Sequence, residues 1–133
     1  MTKLFKYSAL VFLMLFLSQG AFSQSLKKGK WDKQNKSISG SWEITKKSDG
    51  TYIVLSDDFK TKKAPDLKLF LSKKQASSVN GKNATKDAVF VAKLKSPKGG
   101  QSYKIPSNIN IDDYTSLLIH CEKYSIFWGG GNL

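Results

Sequence analysis

Two neighbouring side chains, His120 and Cys121, are the only imidazole and the only thiol in the chain, and both lie in Ser116-Leu-Leu-Ile-His-Cys-Glu-Lys-Tyr-Ser-Ile-Phe-Trp128. A thiol can serve as nucleophile, redox atom or metal ligand when its surroundings favour the thiolate. A Cys-His catalytic device needs both groups within hydrogen-bond reach. The segment reads as a strand, and successive strand side chains point to opposite faces. A Cys121-His120 dyad is therefore disfavoured, no catalytic constellation is visible, and the expectation is that the chain is not an enzyme. One Cys and one His per copy also exclude a four-ligand structural zinc site and a His2Cys blue-copper site. A four-thiolate cluster is excluded for the same reason. Cys121 is left with two readings: a small apolar core residue, or the working atom of a redox protein.

Other groups offer less chemistry. Asp57-Asp58 and Asp112-Asp113 could supply oxygen ligands to a cation, although such pairs more often cap turns. The 22 Lys+Arg are all lysine, against 10 Asp+Glu, for a net charge of +12. Arginine is the preferred residue for bidentate phosphate and base contacts. Its absence argues against specific nucleic-acid recognition. Weak attraction to an anionic envelope surface or to an acidic redox partner fits the charge better.

The chain opens with Lys3 and Lys6, then the apolar run Ala9 to Leu17, then Ala21-Phe22-Ser23. This is the three-part pattern of a secretory signal, with cleavage expected after Ser23. The apolar run falls short of the ~20 residues a transmembrane helix requires. The expectation is an exported protein, periplasmic or secreted, with no membrane span after cleavage. In that compartment cysteines usually pair, which makes a single Cys121 more conspicuous.

The elements that must position Cys121 read as short strands. Residues 24–36 are polar and lysine-rich and read as a flexible leader. Ser37 to Lys46 alternates, with Ile38, Trp42 and Ile44 on one face, and Lys47-Ser-Asp-Gly50 is a hairpin turn into Thr51–Ser56. Asp66–Ser72, with Leu67, Leu69 and Leu71 on one face, Ala88–Leu94 and Gln101–Ile105 are further strands. No stretch holds a helical period long enough for a helix. The expected fold is all-β, one small sandwich or barrel-like domain of short antiparallel strands. In Ser116–Trp128 the apolar parity changes, with Leu117, Ile119 and Cys121 before and Tyr124, Ile126 and Trp128 after. Either a strand pair or one strand with a bulge near Glu122-Lys123 explains it.

Ala64-Pro-Asp-Leu-Lys-Leu-Phe-Leu71, Gly99-Gly-Gln-Ser-Tyr-Lys-Ile-Pro106, Tyr114 and Ile119-His-Cys-Glu122, closing on Gly129 and Leu133, follow in that order. The ordering resembles the electron-transfer DM-thirteen domain, a small exported domain often associated with DOMON domains, over residues 37–133. The resemblance implies a sandwich-like module whose cysteine, here Cys121, acts in redox chemistry as a bare thiol or as ligand to a prosthetic group such as haem. Asp66, Tyr103 and His120 are its candidate neighbours. His120 stands where an aromatic is common, and Gly129-Gly-Gly131 reads as a loose end. The leading expectation is an electron-transfer module of the cell envelope centred on Cys121. The alternative is a binding module without redox chemistry, for an envelope component, a glycan or a partner protein, with Cys121 as core filler.

Overall fold

The computed structural model describes residues 22–33 and 37–133. The expected signal lies almost wholly outside them. The described chain is built from strands: β1 Ser23–Lys30, β2 Asp32–Lys33, β3 Ile38–Ser39, β4 Ser41–Lys47, β5 Gly50–Leu55, β6 Lys60–Thr61, β7 Leu67–Ser72, β8 Ala88–Lys93, β9 Gln101–Lys104, β10 Ser116–Cys121 and β11 Ile126–Asn132. Two single 3-10 turns, Ala76–Ser78 and Ile111–Asp113, are the only helical elements among the described residues. The protein is all-β.

The strands form a four-stranded sheet, β1-β4-β5-β9, and a five-stranded sheet, β2-β11-β10-β7-β8, with a small β3-β6 ribbon beside them. Every pairing is antiparallel. Alternation along the strands sends Trp42, Ile44, Ile53, Leu55 and Tyr103 from the first sheet against Leu67, Leu69, Leu71, Leu117, Ile119, Cys121 and Trp128 from the second. That is one sandwich core. Each fully buried aliphatic side chain in it contributes about 1.5–3 kcal/mol relative to exposure. The inward faces expected for Ile38-Trp42-Ile44 and for Leu67-Leu69-Leu71 are the faces observed.

Three local readings need correction. First, most of the leader expected at 24–36 is ordered. Ser23–Lys30 pairs along β4, and the chain then turns at buried Trp31 so that Asp32-Lys33 joins the other sheet through β11. The polar composition is that of an edge strand, whose outward residues face water. Second, of the two explanations for the parity change after Cys121, the strand pair holds and the single bulged strand does not. Residues 122–125 turn, Ser125 takes φ 51°, and β10 pairs with β11. The register shift lies between Ile119 and His120, where β11 carries an extra residue, and not at Glu122-Lys123.

Third, Gly129–Gly131 is buried strand rather than a loose end. A Cβ on Gly131 would stand 2.7 Å from Trp42 Nε1, and one on Gly129 would stand 2.9 Å from the Asp32 carbonyl oxygen. The glycines let the indole and the β2 backbone close against β11.

The five-stranded sheet also buries part of its outer face. The segment 73–87 folds over it, placing Val79 and Ala84 against Phe70, Leu118 and Phe127. β10 is therefore covered on both sides, and all six of its residues are buried.

Candidate functional site

Cys121 ends β10. Its strand partners are Leu67 on β7 and Ile126 on β11. Its side chain points into the sandwich core with Leu117 and Ile119, and its exposure is 0%. It is a free cysteine.

His120 leaves the opposite face, as strand alternation requires. Its ring packs edge-on to Phe70 at 6.2 Å between centroids. It is buried, and its Nδ1 has no hydrogen-bond partner among the described residues. Burial pushes the imidazole pKa below its ordinary value; the Glu122 and Asp66 charges and the Ile126 backbone oppose that shift more weakly. A direct Cys121-His120 dyad does not form.

Asp66 acts on the backbone that follows Cys121. Its carboxylate accepts from the Lys123 N–H at 2.8 Å, and its carbonyl accepts from the Glu122 N–H at 3.2 Å. It thereby fixes the hairpin turn leaving the cysteine. Lys68 bridges the same corner, 2.7 Å from Glu122 and 3.5 Å from Asp66. Its ammonium pKa is raised, first by the Glu122 hydrogen bond.

Tyr103 lies in the other sheet, with its ring in the core and its hydroxyl directed at the segment after β8. That hydroxyl accepts from the Lys95 N–H at 2.8 Å and donates to Gln101 Oε1. Burial raises the phenol pKa. The Gln101 amide in turn donates to the carbonyls of Ser96 and Gly99. Tyr103 and Gln101 thus pin the loop 95–99.

The pinned loop and the segment before Asp66 face each other across a cleft of about 230 Å³ lined by Lys63, Ala64, Pro65, Leu67, Lys93, Leu94, Lys95, Ser96 and Pro97. Leu67 is both part of this lining and the strand partner of Cys121. The Pro65-Asp66-Leu67 motif, the Tyr103 motif and Cys121 therefore converge on one end of the sandwich, although they are distant in sequence. A larger cleft of about 330 Å³, over Gly29, Trp42, Glu43 and Val54, lies on the four-stranded sheet and touches none of the motif residues.

Haem ligation through Cys121 does not fit these residues. The sulfur is sealed inside the core, Cys121 lines neither cleft, and the adjoining cleft is smaller than the roughly 300–1,000 Å³ of ordinary ligand pockets. A macrocycle could reach the sulfur only by displacing β7 or the β10-β11 turn. The two aspartate pairs do not converge either: no cluster of three His, Cys, Asp or Glu suited to a metal ion occurs among the described residues.

Strand alternation set Cys121 and His120 on opposite faces, as observed, but the sequence did not reveal the walls of the cleft. Residues 95–99 carry no pattern beyond a connection between two strands, and Leu67 reads only as an inward strand residue. The signal that could have found them is the motif order itself, which brackets both segments.

The family model described as Electron transfer DM13 matches residues 30–132. No curated protein and no solved structure matches the chain.

Proposed function

Since the chain belongs to the Electron transfer DM13 family, we propose that it is an exported electron-transfer module whose redox group is the Cys121 thiol, reached from the Lys63–Pro97 cleft past Leu67. The observation that carries this reading is the convergence of the Asp66, Tyr103 and Cys121 motifs on one end of the sandwich, where Leu67, the strand partner of Cys121, lines the cleft. Asp66 and Tyr103 are positioning residues. One holds the turn after the thiol, the other holds the loop that walls the cleft.

The chemistry that suits a single cysteine is exchange with a partner's disulfide. Cys121 releases its proton, and Sγ bonds to one partner sulfur as the partner's S–S bond breaks. The second partner sulfur leaves as thiolate and takes up a proton. Cys121 is oxidised and the leaving sulfur reduced, so a mixed disulfide replaces the partner's own disulfide. Because Sγ is sealed at rest, this exchange is gated by movement of Leu67 or of the 122–125 turn. Local openings of this kind cost less than global unfolding.

The test is equilibration of the native protein in glutathione redox buffers, with mass spectrometry locating the mixed disulfide. Adduct on Cys121 of the folded protein, absent from Cys121→Ser, is expected. A Cys121→Ser protein that keeps every redox property of the parent would overturn the reading.

One observation favours a second reading. The 0% exposure of Cys121 is what a core-filling cysteine in a binding module without redox chemistry would show. That reading expects a thiol that reacts only after unfolding.

A further inference from the structure

The cleft beside Leu67 has an apolar floor and a cationic rim. Ala64, Pro65, Leu67, Leu94 and Pro97 supply the apolar surface, and Lys63, Lys93 and Lys95 stand around it. The neighbouring backbone adds more charge. Lys60 bridges to Lys98, and Thr61 N–H donates to the Pro97 carbonyl at 2.8 Å, so segments 60–63 and 95–98 run side by side. Lys60, Lys62, Lys63, Lys93, Lys95 and Lys98 are all exposed.

None of these six lysines forms an ion pair among the described residues, whose salt bridges are Lys68 with Asp66 and Glu122 and Lys74 with Asp87. Lys95 alone is partly committed, donating to the Ser102 carbonyl and lying over the Tyr103 ring. Asp57, Asp58 and Asp66 are the nearby carboxylates, and Asp66 is engaged by Lys68 and the Lys123 N–H. Asp58 accepts from the Ser56 hydroxyl, and Asp57 lies against Gly100. The rim is thus an uncompensated group of cations around a small apolar seat.

We infer that this cleft is a docking surface for an acidic segment of a partner protein, one that seats an apolar side chain against Leu67 and Leu94 between carboxylates facing Lys63 and Lys93. Charge complementarity makes the case for this occupant. A rim of flexible ammonium groups favours carboxylates and steers encounter, while an apolar centre supplies the desolvated anchor. Absence of arginine limits bidentate recognition of phosphate, which disfavours a phosphorylated or lipid-phosphate ligand. The inference rests on the electron-transfer reading only for the purpose of the docking.

The test uses the whole mature chain and the peptide Glu-Glu-Leu-Glu-Glu, titrated by NMR at two ionic strengths. Expected are salt-sensitive binding and shifts concentrated at Ala64, Leu67, Leu94 and Pro97 neighbours. A K63E/K93E protein should bind about ten-fold more weakly or worse, two rim attractions having become repulsions. A K46E/K104E protein, with the same change in net charge placed near the Gly50 turn at the far end of the four-stranded sheet, should bind like the parent. Equal weakening in both doubles would show that net charge alone attracts the peptide and would overturn the proposal. So would tighter binding to vesicles of phosphatidylglycerol with no peptide shifts at the cleft. None of these readouts involves the thiol, so they separate failure of the docking surface from failure of Cys121 as the redox group.

Discussion

Cys121 and His120 leave the same strand from opposite faces, and their surroundings differ in what they leave unsatisfied. Cys121 enters the sandwich core beside Leu117 and Ile119, where a thiol needs no partner and behaves as a small hydrophobe. His120 enters a smaller cluster roofed by residues 73–87, where its Nδ1 is buried without a hydrogen bond. The core that receives Cys121 has its unpartnered polar atoms elsewhere, at the Trp31 and Trp42 indole nitrogens. The outer face carries a polar group whose charged form the fold opposes. The comparison separates two kinds of buried group, a thiol that needs no hydrogen bond and an imidazole whose Nδ1 lacks one.

The largest expected effect comes from truncating Leu67, the cleft residue that pairs with Cys121. Leu67→Ala should cost about 2–5 kcal/mol, as for other buried leucines, read by denaturant unfolding. It should also admit a thiol reagent to Cys121 while the protein is still folded. Next is Cys121→Ser, which leaves a hydroxyl unpartnered in the apolar core and should cost about 1–3 kcal/mol. Cys121→Ala should cost less than the serine change if the inner face is as apolar as described, and a reversed order would break the comparison.

On the outer face the lever is pH. His120 is held neutral, with its folded pKa depressed by burial. The unfolded chain binds a proton as pH falls below about 6.5 while the folded chain does not. Stability should therefore be fully present above that value and decline below it, until the folded pKa is passed. His120→Leu removes the titrating group and the orphaned nitrogen, so its melting temperature should lose that step between neutral and mildly acidic pH. The smallest effect should be Glu122→Gln. It breaks the exposed pair with Lys68, and the loss should vanish in high salt because surface pairs are screened.

Much of the fold was legible because one face of each sheet is buried, and burial imposes period-two alternation. Leu67-Leu69-Leu71 and Ile38-Trp42-Ile44 announced their inward faces directly. β1 was hidden because an edge strand carries lysine and serine on both sides, which reads as leader. Gly129–Gly131 was hidden because glycine in a strand carries no pattern, and its reason lies in Trp42, far away in sequence. The site was half legible. Cys121 stood out by being alone, but the cleft depends on how Tyr103 and Gln101 pin residues 95–99, a set of hydrogen bonds no periodicity encodes.

The most direct measurement is the rate of Cys121 modification by a disulfide reagent as a function of denaturant, in the parent and in Leu67→Ala. Gated access past Leu67 predicts a native-state rate nearly independent of denaturant at low concentration, and a larger acceleration in Leu67→Ala than its loss of stability explains. A rate that follows global unfolding across the whole range in both proteins would contradict it, and would leave Cys121 as a residue of the core.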